Sequence, residues 1–519
     1  MDTAALAPIP VYLAGLRHLS ARRIADAIPL FLAALADDPA HPGARRNLIR
    51  AYSLAGDHAA VIAETLQAPP ACAESHYHRG TAFNALGQSE AARAALSVAV
   101  ALDPSLAHAW LNLGNAHTDL DDLPLAESHC RRALALDPTL IEAHVSLGFV
   151  LTAQGKVAEG IGALEEAIRR APGHSRAHWN LAVAALLAGD LPRGFALYEW
   201  RKRHDRFRRD FIDLPGPVWD GGDPNGREIL VHAEQGLGDT VQFARYLPEI
   251  VRRGGRPALA CEPALIPFLS CIDGARIVAK SGPLPRHDVW IDQMSLPRVF
   301  GTTLTTIPAL DGYLTANRAL TEAHRATLPP GLRIGLAWAG NKLHGNDRRR
   351  TPPPEVFGPL LSIPGVHVVN LVPDRQLPGT AMPARALTDF AETAALISAL
   401  DLTISVDTCV AHVAGALGRP AWVMLAHAPD WRWLLDRTDS PWYRSLRLFR
   451  QPAPGDWAGV MAALLSSLPK PGESASPAPI GHRRVGFARA LDISRLVLPG
   501  PAKGEAPVWP AIEIPRGKF

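Results

Sequence analysis

At 519 residues the chain is well beyond one compact domain, and about two to four are expected. With 47% hydrophobic and 20% charged residues it is not wholesale disordered, and no run nears the ~20 apolar residues of a membrane-spanning helix. A net charge of +3 is too even for a dedicated nucleic-acid binder, so neither a nucleic-acid partner nor an integral membrane segment is expected. The start, MDTAALAPIPVYLAGLRHLS, carries an acid and no basic n-region, and does not read as a secretory signal. Cys72, Cys130, Cys261, Cys271 and Cys409 are scattered without a CxxC pair, which fits free thiols in a reducing, cytoplasmic setting.

The first 200 residues or so carry an internal period. Gly80, Gly114 and Gly148 are spaced by 34 residues, as are Pro104, Pro138 and Pro172. Ala92 and Ala126, then Gly160 and Gly194, keep the same register, and Ala99, Ala133 and Ala167 form a further column. Each unit reads as a helix hairpin. Trp110, Leu113 and His117 share one face of the first helix, and Ala126, Cys130 and Ala133 one face of the second. Small residues at Gly114 and Ala126 permit close approach, and Pro138 ends the second helix. One hairpin cannot bury its own face, so the units must stack.

The columns resemble the tetratricopeptide repeat, in good register over residues 73–206. Weaker copies occupy residues 8–41 (Gly15, Ala27, Phe31, Ala34, Pro39) and 42–72 (Tyr52, Gly56, Asp57). About six hairpins forming a solenoid over residues 8–210 are expected. The resemblance implies a concave groove faced by the sixth residue of each first helix: Asn47, His78, Asn112, Ser146 and Asn180. Asn47, Asn112 and Asn180 would then hydrogen-bond the backbone of a protein or peptide partner; the competing reading is plain solvent-facing polarity. The basic run Arg201-Lys202-Arg203 reads as a solvated helix end, with Arg206, Arg208 and Arg209 beyond it.

After about residue 210 the columns vanish. The Pro/Gly/Asp-rich stretch 211–226 reads as a linker. Strands and helices then alternate. A strand at 229–233 leads through GLGD (236–239) into a helix at 241–253, and a strand follows at 257–262. A second series begins with a strand at 333–340. It continues with a helix near 354–361, a strand at 366–372, a helix at 389–400, a strand at 402–406, a helix at 408–417 and a strand at 421–425. Such alternation predicts parallel sheets and two Rossmann-like domains, 227–325 and 330–468. Residues 469–519 read as a Pro/Gly-rich tail, with a short piece at 483–498 that orders locally.

Two turns carry candidate chemistry. Gly236 and Gly238 permit a tight strand-to-helix turn whose exposed N–H groups suit an anion. Asp239 also has a structural role open to it, capping its helix with Gln242 completing a capping box. In ISVDTCVAHVAGALGRP (404–420), Asp407 and Thr408 start a helix, and Thr408 and His412 share a face beside its free N–H groups. The plain alternative makes Asp407 a cap and His412 a surface residue. Trp431, Trp433 and Trp442 read mainly as packing, with a pocket wall as the minority reading. Asn341, Lys342, His344 and Asn346 follow a strand end, the usual ligand edge of such a sheet.

The run from ILVHAEQGLGD through AWAGN, SVDTCVAHVAGALGRP and PDWRW (about 226–468) resembles family 9, heptosyltransferase-like glycosyltransferases. The layout is similar to protein O-GlcNAc transferases. The resemblance implies an all-α tetratricopeptide solenoid followed by an α/β GT-B fold of two Rossmann-like domains. The nucleotide sugar would sit mainly in the C-terminal domain, and the acceptor would approach from the N-terminal one. It implies Asp239 as the base on the acceptor hydroxyl and a donor site of Gly236, Gly238, Asn341, Arg350, Asp407, Thr408 and His412. Arg348 competes with Arg350 for the basic position, and RRRTPPP departs from the family's lysine-x-tryptophan-proline. No D-x-D pair sits at a strand end, so no metal or other cofactor is expected. A helix N-terminus and an arginine would stabilise the leaving diphosphate. The leading expectation is transfer of a hexosyl, heptosyl or N-acetylglucosaminyl group to a protein or peptide recruited by the repeats. The alternatives are a non-catalytic scaffold with an inert transferase-like domain, or a surface-glycan or lipopolysaccharide transferase.

Overall fold

The computed structural model describes residues 8–67, 72–204, 211–212, 214–340 and 347–468. Asn341, Lys342, His344, Asn346, Arg206, Arg208, Arg209 and the 483–498 piece lie outside the described residues. The chain divides into two compact units at Val150 and Leu151.

The first unit is helical. Its hairpins pair Pro8–Ser20 with Ile24–Asp37, Pro42–Ala55 with His58–Gln67, Ala73–Ala85 with Ser89–Leu102, and Ala107–Asp119 with Leu123–Leu136. The period has a steric cause. A Cβ added at Gly80 would run into Leu96, and one at Gly114 would lie 3.1 Å from Cys130 Sγ and 3.2 Å from the Ala126 carbonyl. Between units the chain turns on Asp-Pro pairs. Asp103 accepts from the backbone N–H of Ser105 at 2.9 Å, and Asp137 from that of Thr139 at 2.9 Å. Ala92, Leu96, Ala99, Ala109, Leu113 and Ala116 form one of the small cores that result.

The second unit opens with helices Val157–Arg170, Ser175–Leu187 and Leu191–Tyr198, the last extended by a 3-10 turn, Glu199–Arg203. In the Arg201–Arg203 run, Lys202 and Arg203 are exposed at the helical end as expected, but Arg201 is not solvated. Arg201 is 0% exposed and its guanidinium grips Glu234. Its burial is set by a partner 33 residues away, which a local charge pattern does not reveal. In the 211–226 stretch, Trp219 is buried, donates its backbone N–H to the Trp290 carbonyl at 2.7 Å and packs edge-on against Phe300.

Two parallel sheets follow. The first contains β1 (Glu228–His232), β2 (Arg256–Cys261), β3 (Arg276–Ala279) and β4 (Val289–Asp292), in the order β3-β2-β1-β4. The second contains β5 (Leu332–Ala337), β6 (Val366–Asn370), β7 (Leu402–Val406), β8 (Ala421–Leu425) and β9 (Leu446–Arg450), in the order β6-β5-β7-β8-β9. The central strands are near-continuous apolar runs because helices cover both faces, and β7 is buried at all five positions. Ile334, Leu336, Leu402, Ile404, Met424 and Trp457 share the second sheet's core. Strand β9 and the helix Trp457–Ser466 extend the fold beyond the elements read from sequence. Each sheet reverses its strand order once, between β1 and β4 and between β5 and β7. Such switch points open a crevice at the carboxyl ends of the strands.

Candidate functional site

Loops from the carboxyl ends of both sheets wall one cavity of about 960 Å³. The turn after β1 supplies Gly236, Gly238 and Asp239, and the turn after β7 supplies Asp407, Thr408 and Cys409. Arg350 and His412 also line it, so seven of the sequence-predicted residues, Gly236, Gly238, Asp239, Arg350, Asp407, Thr408 and His412, meet here. Asn341 lies outside the described residues.

The first turn differs in detail from the expectation. The helix begins at Leu237 with Gly236 at its N-cap, so Asp239 is the third helical residue and not the cap. Its Oδ2 accepts from the Gly236 N–H at 2.8 Å. Gln242 is not a capping partner; its Oε1 accepts from Arg432 Nε at 2.7 Å. Gly238 is required by close approach. A Cβ there would lie 2.9 Å from His412 Cδ2 and 3.4 Å from Cys409 Cα, so only glycine lets the two helix starts meet.

At the second turn, Thr408 and not Asp407 occupies the N-cap of the helix Cys409–Ala416. Thr408 makes no side-chain capping bond; its hydroxyl lies 3.0 Å from Ser405 Oγ. The first N–H groups of this helix, at Cys409 and Val410, therefore border the cavity without a side-chain cap, a natural anion site. Arg350 braces the turn by donating to the Asp407 carbonyl at 2.9 Å, and its Nε lies 3.3 Å from Asp347 Oδ1. Burial pushes the Asp407 carboxyl up to about 6, with the nearby charge of Asp430 adding to the effect.

His412 is buried and not a surface residue. The Tyr443 hydroxyl lies 3.0 Å from its Nδ1, and Trp433 stacks on the ring at 5.5 Å. Burial, reinforced by Arg432 and Arg245, holds the imidazole well below its ordinary pKa and hence neutral. The tryptophans follow their packing reading: Trp431, Trp433 and Trp442 are buried, and none lines the cavity.

Sequence reasoning missed Arg432, which sits between two of those tryptophans. It forms ion pairs with Asp239 and, at 2.7 Å, with Asp430. Burial works against its charge, but Asp430 and Asp239 raise its pKa above the ordinary value. The available signal was an arginine inside an aromatic turn, PDWRW, whose rings drew the attention. Arg375 was missed as well; it lines the cavity, donates to the Gly340 carbonyl and lies over the Trp338 ring.

The asparagines of the expected row have different surroundings. Asn47 is turned inward, its Nδ2 donating to the Gly43 carbonyl at 2.8 Å and the Tyr12 hydroxyl at 3.1 Å. Both amide protons are thereby used within the hairpins, which corrects its assignment to a peptide groove. Asn112 donates to Thr81 Oγ1 at 2.9 Å. Asn180 is half-buried and belongs to the other compact unit.

A helical repeat array followed by a doubly wound α/β pair with one cleft is thus the class that the fold and the site define. Residues 12–68, 59–107, 77–141 and 150–199 match the tetratricopeptide repeat family. Residues 380–426 match glycosyltransferase family 9 (heptosyltransferase), a segment that holds the Asp407 turn but not the Asp239 turn. The N-terminal region carries tetratricopeptide repeats, and the C-terminal region holds a segment similar to family 9 glycosyltransferases. Protein FlbA of Caulobacter vibrioides is 27% identical over 395 residues, covering 62% of this chain and 65% of that protein. The chain therefore spans just under two thirds of the length of this curated relative. Among solved structures, YrrB, titled a TPR protein with an unusual peptide-binding site, is 17% identical with a TM-score of 0.29, covering 34% of this chain and 92% of its own. MamA 41-end from Desulfovibrio magneticus RS-1 is 19% identical with a TM-score of 0.30, covering 33% and 99%. No helix among the described residues is long and apolar enough to cross a membrane.

Proposed function

We propose that the chain transfers a sugar from a nucleotide-sugar donor to an acceptor hydroxyl, the acceptor being a protein or peptide recruited by the repeats. The observation that carries this reading is the convergence of the Asp239 and Asp407 turns on one cavity, with Gly238 packed against the start of the Cys409–Ala416 helix. The diphosphate would rest on the Cys409 and Val410 N–H groups beside the Thr408 hydroxyl, with Arg350 adjacent. As the bond from sugar to phosphate breaks, these donors meet the growing negative charge. The acceptor oxygen bonds the sugar carbon and gives its proton to Asp239. Asp239 faces the cavity while Arg432 and the Gly236 N–H orient its carboxylate. Residues 227–325 would serve the acceptor and residues 330–468 the donor.

Isothermal titration with UDP, GDP and ADP, followed by turnover of the matching sugar donors, tests this. One nucleoside diphosphate should bind, with affinity falling at least about tenfold in Thr408→Val. Asp239→Asn should keep that affinity and lose transfer. If none binds and Asp407→Ala changes nothing, the enzyme reading fails.

A further inference from the structure

The last helical hairpin, Ser175–Leu187 and Leu191–Tyr198 with its Glu199–Arg203 extension, lies in the same compact unit as the two sheets. It reaches both turns that carry the Asp239–Arg432 pair. On the first sheet's side, the Tyr198 hydroxyl donates to Gln235 Oε1 at 3.1 Å. Arg201 Nε and Nη2 donate to Glu234 Oε2 and Oε1 at 2.9 and 2.6 Å, and Nη2 also donates to Ser295 Oγ at 2.9 Å. Glu234 is itself buried and accepts from the Met294 N–H at 3.1 Å. Glu234 and Gln235 directly precede the Gly236–Asp239 turn.

Gln235 has a φ of 64°, in the left-handed region. A residue with a Cβ stays there only when its surroundings hold it. On the other side, Phe195 meets Trp431 edge-on at 5.6 Å and Trp442 at 6.5 Å, and Tyr198 meets Trp431 at 6.3 Å. Trp431 is the neighbour of Arg432. The hairpin therefore supports the approach to Asp239 and the approach to its ion-pair partner at once.

We infer that this repeat hairpin is part of the site's scaffold, with Tyr198 and Arg201 as positioning residues that hold Gln235 in its left-handed conformation and so set the Gly236–Asp239 turn. The functional weight of that turn rests on the proposed transferase reading; the positioning itself rests on the contacts. The repeats would then be more than a docking arm, because their last turn supports from behind the Gln235–Asp239 segment that walls the cavity.

Hydrogen exchange of the full chain, read by mass spectrometry over residues 235–243 and 409–416, tests the inference. Tyr198→Phe deletes one hydroxyl and no carbon, and should speed exchange over 235–243 about fivefold, the share of one neutral hydrogen bond. Exchange over 409–416 should stay as it was. Gln235→Gly adopts the left-handed conformation unaided and has no side-chain acceptor, so adding Tyr198→Phe to it should change exchange by less than about twofold. Arg201→Lys keeps the charge but loses the two-pronged grip, and should speed exchange by about tenfold or more. Should that variant not fold, the Tyr198 and Gln235 cycle decides alone. Unchanged exchange in Tyr198→Phe, or equal acceleration in both backgrounds, overturns the positioning role. Nucleoside-diphosphate binding by the unaltered chain is measured in parallel: its absence refutes the transferase reading and leaves the exchange comparison intact.

Discussion

Replacing Asp407 by asparagine probes the electrostatics of the cavity most directly. The carboxyl titrates near 6, mainly through burial and then through Asp430, against about 3.9 for a free aspartate. That difference of about 2 pKa units corresponds to about 3 kcal/mol. It is an upper bound, because part of the carboxylate meets the cavity. The sign follows from the direction of the shift. A folded-state pKa raised above the unfolded one gives stability that is full below about pH 4 and is lost as pH rises through about 6. Asparagine has no proton to lose, so Asp407→Asn should match the parent chain at about pH 4 and exceed it by up to about 3 kcal/mol at about pH 8. Urea unfolding followed by tryptophan fluorescence suits the test, since Trp219, Trp290, Trp338, Trp422, Trp431, Trp433, Trp442 and Trp457 all lie in the second unit. A stability difference between parent and variant that stays constant between these two pH values would refute the reasoning.

Three other outcomes follow from the same geometry. Gly238→Ala forces a methyl against His412, which Trp433 and Tyr443 hold in place, so a loss of about 1–3 kcal/mol is expected; an unchanged melting temperature contradicts that contact. Arg432→Met leaves Asp239 and Asp430 without their cation, at about 3–5 kcal/mol at neutral pH and less in acid, where the carboxylates gain protons. A loss that does not shrink on acidification, followed by chemical denaturation, would show that packing and not charge is at stake. Asn47→Ala removes two internal hydrogen bonds and should lower the first unit's stability by about 1–3 kcal/mol; unaltered stability would return Asn47 to the groove.

The repeat array was legible because its signal is local and recurs. Gly80 and Gly114 sit where a second helix presses, and Gly15 meets the same demand against Phe31 in the first hairpin. The alternation of strands and helices was legible for a similar reason, since a strand buried on both faces is a short apolar run wherever it occurs. Local pattern reached less far at the helix starts. Aspartate is a common cap, so Asp239 and Asp407 were both offered that role, whereas Gly236 and Thr408 fill it. Near the C-terminal end, β9 and the helix after it carry no turn motif comparable to GLGD and were not drawn from the sequence.

By itself, then, the sequence determined the repeat period, the parallel α/β class and the two glycine- and acid-marked turns, all features written within a few dozen consecutive residues. Only the tertiary structure decided that those turns share one cavity, that Arg432 bridges Asp239 and Asp430, and that Arg201 is sealed against Glu234. The physical reason is that a charge's burial and partnership depend on which distant segments the fold brings within a few ångströms. No periodicity along the chain encodes that distance.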